Sequence, residues 1–164
     1  MNDPIRVIGV DHGLHHTGYG CLQKKNNDIS CIGWGVITTS PQTAFPQRLQ
    51  QIYRELRDVI ERWNPVVMSI ESAIYAQNVQ TALLMGHARG AALLAAANSE
   101  LPVFDYPPKK IKSAVVGNGT ATKEQVRFMV TRILGLPDKE LPFDASDALA
   151  AGICHLNQYK LRSL

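Results

Sequence analysis

Nowhere in the 164 residues does an apolar run approach the roughly 18 positions that a membrane-spanning helix needs. Cysteine is scarce as well. Cys21, Cys31 and Cys154 are an odd number without Cys-x-x-Cys spacing, which favours buried free thiols in a reducing compartment over disulfides or a thiolate zinc site. The start, Met1-Asn2-Asp3-Pro4, has no basic segment followed by an apolar stretch and a small-residue cleavage site, so it does not read as a signal peptide. There is no internal repeat, low-complexity tract or linker. A strong charge imbalance is also missing: the net charge is only +3, which by itself says nothing about partners.

What is present is an ordinary globular balance, 45% hydrophobic and 19% charged, in a chain long enough for one compact domain with a full core. One domain spanning residues 1–164 is expected. Ile5 to Val10 is rich in β-formers and ends at Asp11, where Asp11-His12-Gly13 signals a turn. Thr17 to Leu22 and Ile29 to Thr38 read as further strands, with Asn26-Asn27-Asp28 as the hairpin turn between them. Leu49, Ile52, Leu56, Val59, Ile60 and Trp63 fall at helical spacing, with Arg48, Arg54, Arg57 and Arg62 interspersed. Asn64-Pro65 stops that helix. Val66 to Ile70 reads as a buried parallel strand ending at Glu71.

Asn78 predicts the cap of a helix to about Asn98. Its middle, Gly86 to Leu94, is small and apolar on more than one face, so one side packs on the sheet and another is free to accept a partner subunit. Pro102 to Tyr106 predicts a strand and Lys109 to Val116 a short basic helix closed by Gly117-Asn118-Gly119. Thr122 caps a helix to about Leu134, and a last helix starts near Asp144. The order β-β-β-α-β-α-β-α-α-α predicts an α/β fold: a mixed five-stranded sheet with helices on both faces.

Four acids punctuate this pattern. Asp11 and Glu71 each close a predicted strand, and if those strands are parallel neighbours both carboxylates emerge at the sheet edge where α/β proteins bind ligands. Asp144 and Asp147 stand three apart on one face of a helix start, whose partial positive charge helps hold two acids together. Two divalent ions roughly 3.5–4 Å apart can activate a water and stabilise the leaving oxygen of a phosphodiester. Magnesium prefers oxygen ligands, so carboxylates suit it. Without cations, four crowded acids raise one another's pKa values. These four hold four negative charges, so the remainder of a molecule at +3 overall carries a net +7, a basic surface around an acidic hole. Each element also has a plainer reading. Asp-x-Gly after a strand is commonly just a turn, and Asp144-x-x-Asp147 fits helix capping. Glu71, behind Val-Val-Met-Ser-Ile, is costly to bury without a partner.

Taken jointly, Ile8-Gly9-Val10-Asp11-x-Gly13, Thr17-Gly18-Tyr19-Gly20, Ile70-Glu71, Gly86-x-Ala88-Arg89-Gly90 and Asp144-Ala145-Ser146-Asp147-Ala148-Leu149-Ala150 resemble the RuvC family of Holliday-junction resolvases nearly end to end. Leu101-Pro102-Val103-Phe104-x-Tyr106 and Val115-Val116-Gly117-x-Gly119 extend the likeness. The resemblance implies a ribonuclease H-like fold and a homodimer that resolves four-way DNA junctions by paired nicking. It implies two Mg2+ per site, with Mn2+ able to substitute, held by Asp11, Glu71, Asp144 and Asp147. Lys112 and Lys123 would approach the scissile strand. It further implies a cytoplasmic role in recombination and repair alongside the RuvA–RuvB branch-migration complex. Two positions depart from the family pattern. His12 replaces the usual proline after the first Asp, and Ile74, followed by Tyr75, replaces an aromatic that would wedge into or stack on junction bases. Tyr75 stacking or Ile74 wedging is the expected substitute, with an exposed loop pair as the alternative.

His12, His15 and His16 invite a zinc reading, but no closed ligand set accompanies them. They are expected to line the loop beside the acids and touch phosphate, with His12 or His16 also open to a role in proton transfer. His87 is expected to be structural. Lys109, Lys110, Lys112 and Lys123 form either a phosphate-contact cluster or a solvated basic edge. Two other functions share features with this sequence. Asp-x-Gly after a strand also opens the phosphate loop of actin-like and sugar-kinase ATPases, but those need two such domains. A non-catalytic relative would have lost one of the acids. A nuclease of the same fold acting on RNA–DNA hybrids or flaps is a third reading.

Overall fold

A computed structural model describes residues 3–72, 78–137 and 140–162. The elements follow the expected order. Strands β1 (Ile5–Asp11), β2 (His16–Lys25) and β3 (Asp28–Thr38) form an antiparallel meander. Helix α1 (Phe45–Trp63) leads to β4 (Val67–Glu71), and α2 (Val79–Ala97) leads to β5 (Val103–Tyr106). Three helices follow: α3 (Pro108–Val116), α4 (Lys123–Leu134) and α5 (Phe143–Arg162). The sheet order is β3-β2-β1-β4-β5, with β4 parallel to both β1 and β5.

The punctuation residues act as their chemistry dictates, with small shifts. Asn26 takes the left-handed conformation at φ 57° in the β2–β3 turn, which Asn tolerates better than most residues. The turn is tighter than expected, because Asp28 already belongs to β3. Helix α1 closes on Asn64, also left-handed at φ 46°, immediately before Pro65. The Asn78 side chain accepts from the Thr81 amide at 2.8 Å. Thr122 and Gln125 cap one another's backbone in a reciprocal capping box, a pairing that satisfies donors a helix start leaves open.

The helices cover both faces of the sheet. On one face Ile8, Val10, Ile37, Met68 and Ile70 meet α1 and the alanines of α2. On the other, Val7, Leu22 and Val67 meet α5, with α3 and α4 packed outside it. Alternation along β1 sends Val7 to one layer and Ile8 to the other, as pleated geometry requires. Of the cysteines, Cys21 and Cys154 are buried thiols as expected, whereas Cys31 is only half-buried. No helix of the described residues is long and apolar enough to cross a membrane.

Helix α5 lies unusually close to the sheet. A β-carbon on Gly9 would overlap the carbonyl of Ala148, and one on Gly18 the carbonyl of Asp144. Glycine at these two strand positions therefore lets the helix backbone rest on the strand backbone. The Ser69 hydroxyl donates to the Ala151 carbonyl at 2.6 Å and ties β4 to the same helix.

Candidate active site

Parallel pairing of β1 with β4 sets Val10 opposite Ile70, so the next residues, Asp11 and Glu71, leave the sheet side by side. Antiparallel pairing sets Asp11 opposite Gly18, the residue on which the Asp144 backbone rests. Asp144 is the second residue of α5 rather than its N-cap, and Asp147 follows one turn on. Register and close approach thus bring the four acids to one cleft of about 460 Å3. Gly13, Leu14, His15 and His16 form one wall of that cleft, and Lys112, Lys123, Ile111 and Val126 contribute to another.

All four carboxylates are half-buried. Burial pushes the Asp11 carboxyl well above the usual carboxylate range, and the charges of Asp147, Glu71 and Asp144 add to it. Glu71 is raised by burial and by Asp147. Asp147 is pushed up to about 6, chiefly by burial, with Lys123 and Lys112 opposing. The lysines are therefore close enough to act on the acids but do not neutralise them.

Among the described residues, no three acid or imidazole side chains already form a group able to hold a metal ion. The two observations are compatible. Charges influence one another over several ångströms, whereas Mg2+ needs oxygens at about 2.1 Å. The carboxylates surround a shared space without yet closing on it. Their chemistry, four hard oxygen donors and no thiolate, fits a hard divalent cation.

The histidines separate into different roles. His12 is 7% exposed, and neither ring nitrogen has a hydrogen-bond partner. Burial, aided by Arg89, pushes its pKa down to about 4, so it is uncharged at neutral pH. His15 and His16 are exposed on the cleft wall. Nδ1 of His16 lies 3.2 Å from the Thr38 hydroxyl. His87 points elsewhere, with Nδ1 2.6 Å from the Leu83 carbonyl and an edge-on contact to Phe45.

Of the four lysines grouped by sequence, only Lys112 and Lys123 line the cleft; Lys110 instead lies over the Tyr106 ring. Ile74 and Tyr75 fall outside the described residues.

Sequence reasoning missed Arg48, which is 7% exposed. Its Nε donates to the Thr39 hydroxyl at 2.9 Å, and its Nη2 lies 3.0 Å from Nδ1 of His15. The signal was available, because position 48 continues the buried stripe through Ile52 and Leu56 at a spacing of four. The Arg89–Asp105 ion pair behind His12 was also missed. It joins α2 to β5, and no local pattern links those positions.

A ribonuclease H-like sheet with two acids at its parallel edge and two more on a helix laid across it defines a metal-dependent nuclease. Comparison with known proteins narrows this. A family model described as crossover junction endodeoxyribonuclease RuvC matches residues 7–155. The crossover junction endodeoxyribonuclease RuvC of Syntrophomonas wolfei is 42% identical over 159 residues, covering 97% of this chain and 92% of that protein. A solved structure of Thermus thermophilus RuvC in complex with Holliday junction substrate superposes with a TM-score of 0.90 at 32% identity, covering 97% of each chain. The yeast mitochondrial Holliday junction resolvase shares the fold, with a TM-score of 0.67 at 14% identity over 98% of this chain and 85% of that one. The chain belongs to the RuvC family of crossover junction endodeoxyribonucleases.

Proposed function

We propose that this endonuclease cuts four-way DNA junctions by symmetric paired nicking, with Asp11, Glu71, Asp144 and Asp147 as the ligands of two Mg2+ ions. The observation that carries the reading is the convergence of all four acids on one cleft with lysines on its wall. Two ions held there would supply an activated water and a stabilised leaving oxygen, and Mn2+ would substitute for Mg2+. The protein's own part is placement. Asp11 and Glu71 are fixed by strand register, and Asp144 and Asp147 by the seat of α5 on Gly18. Lys112 and Lys123 draw the phosphate backbone against the acids and offset their charge. Tyr75 stacks on, or Ile74 wedges between, bases at the junction centre. Tyr75→Ala tests the stacking version, which requires weaker junction binding and cutting.

Residues 1–164 act as one nuclease domain in the cytoplasm, paired as a homodimer so that two sites face opposed strands. Support for pairing comes from α2. A groove of about 690 Å3 between α1 and α2 is lined by Leu49, Ala82, Leu83, Gly86, Gly90 and Leu94, and Leu83 and Leu94 are 58% and 53% exposed. Sedimentation at micromolar concentration should show a dimer. Family resemblance adds the RuvA–RuvB complex as the partner that delivers the junction.

The deciding experiment presents a mobile four-way junction, a linear duplex and an RNA–DNA hybrid, with Mg2+ or with chelator. Paired symmetric nicks in the junction alone, dependent on metal and absent in Asp11→Asn, are expected. Equal cutting of the duplex or the hybrid would replace junction resolution with a broader nuclease.

A further inference from the structure

The loop between β1 and β2, which lines the cleft along with the lysines, is held more firmly than an exposed loop needs to be. The Thr17 hydroxyl donates to the Gly13 carbonyl at 2.6 Å. The Thr39 hydroxyl donates to the Leu14 carbonyl at 2.5 Å, and the Thr39 amide donates to the His15 carbonyl at 3.0 Å. Behind these lies Arg48, a nearly buried guanidinium at the start of α1 whose hydrogen bonds go to Thr39 and to the ring of His15.

That last contact settles the chemistry of His15. A guanidinium carries only donors, so the His15 Nδ1 facing it at 3.0 Å presents its lone pair. The ring proton then sits on Nε2. His15 is exposed and lines the same cleft as the four acids. Among the described residues that Nε2 makes no intramolecular hydrogen bond. The result is an N–H donor, oriented from behind by a buried cation, on the cleft wall.

We propose that His15 is a substrate-contact residue whose Nε2–H donates to a non-bridging oxygen of a DNA phosphate, and that Arg48 is the positioning residue that sets its tautomer and orientation. This rests on the reading of the cleft as the path of the DNA backbone. Lys112 and Lys123 attract that backbone as point charges, and His15, lining the same cleft, fixes its register with a directional bond. Such a contact carries no sequence information and serves to place the scissile phosphate.

Amide replacements separate the two ring nitrogens, because glutamine keeps a donor near the Nε2 position and asparagine keeps an acceptor near Nδ1. Binding of a synthetic four-way junction is measured in chelator at pH 8 by fluorescence anisotropy over a range of salt concentrations. His15→Gln should bind within about threefold of the parent, whereas His15→Asn and His15→Leu should bind about tenfold more weakly, the loss of one hydrogen bond. Their log Kd against log salt slopes should match the parent, because no charge is removed, while Lys112→Ala loses about one unit of slope. Arg48→Met should weaken the parent but leave His15→Leu no weaker. The proposal is overturned if His15→Leu or His15→Asn binds like the parent, if His15→Gln is as weak as His15→Leu, or if His15→Leu flattens the salt slope. Equal weakening of both backgrounds by Arg48→Met would make Arg48 a general structural residue and remove its positioning role. Asp11→Asn keeps the two readings apart. Cutting retained in that variant would remove the reading of the cleft itself, whereas lost cutting with parental binding across the His15 series removes this inference alone.

Discussion

Gly18 of β2 lies directly beneath the first turn of α5, so close that a β-carbon would overlap the Asp144 carbonyl. Because Gly18 also pairs with Asp11 across the strands, one glycine sets the distance between two of the four acids. The obstacle is backbone on both sides, and neither side can rotate away as a side chain would.

Gly18→Ala should therefore destabilise the protein by roughly 1–3 kcal/mol, the cost of overpacking a site that cannot relax. It should also reduce metal-dependent cutting by more than its stability loss explains, because α5 must lift and carry Asp144 and Asp147 with it. Urea unfolding and single-turnover cutting of a junction check the two parts. Parental cutting in a destabilised variant would show that the seat of α5 is not critical to the site.

The acids are held against their own preference. Burial raises the carboxyls of Asp11, Glu71 and Asp147, and a neighbouring acid adds to each: Asp147, Glu71 and Asp144 for Asp11, Asp147 for Glu71, and Asp144 for Asp147. Asp11→Asn should abolish cutting while raising the melting temperature in chelator at pH 8, since it removes one buried like charge. A lower melting temperature together with lost cutting would mean that Asp11 stabilises the metal-free fold.

The same shifts predict how pH and metal interact. A carboxyl whose folded pKa is raised, such as Asp147 at about 6 against an ordinary value near 3.9, holds a proton in the folded state where the unfolded chain has lost it. Its contribution to metal-free stability is fully present below the ordinary value and is lost as pH rises through about 6, by at most about 1.4 kcal/mol per pH unit. Mg2+ needs the ionised ligands, so the rise in melting temperature on adding Mg2+ should be small at pH 5 and large at pH 8. Thermal denaturation at both pH values, with Mg2+ or chelator, measures it. An equal shift at both would argue that the ion binds outside the cleft.

His12 acts in the opposite sense. Its folded pKa is lowered to about 4, below the ordinary 6.5, so the unfolded chain takes up a proton that the folded protein refuses. Stability is intact above 6.5 and falls as pH drops towards 4. His12→Leu removes two buried nitrogens that lack partners and should be the more stable protein. Its advantage over the parent should widen by roughly 1–2 kcal/mol between pH 8 and pH 5. Urea denaturation of both proteins at both pH values tests this, and a constant difference would show that His12 is solvated.

Much of this was legible from residue order because the signals are local. Hydrophobic period, Asn and Thr caps and the Asn64-Pro65 stop act within a few residues, so the ten elements could be read in order. The ends of β1 and β4 could be named as the places where acids emerge. The Asp-Ala-Ser-Asp motif was visible too, although on its own helix capping was the plainer reading; α5 in fact starts one residue before Asp144. Arg48 was missed because charge outweighed position. It sits on the buried stripe of α1, and only its partners, Thr39 and His15, account for a guanidinium there.

By itself the sequence determined the order of strands and helices and which residues could carry the chemistry, because both follow from side-chain type and near-neighbour spacing. Only the tertiary structure decided that β1 and β4 lie parallel in adjacent register, that α5 rests on bare glycine backbone, and that four acids from three distant stretches therefore open on one cleft. It also decided that His12 is sealed in without a partner while His15 is exposed and oriented. Those outcomes depend on backbone contacts between segments far apart in the chain, where the favourable packing of whole layers outweighs the cost of crowding like charges, and no local pattern records that balance.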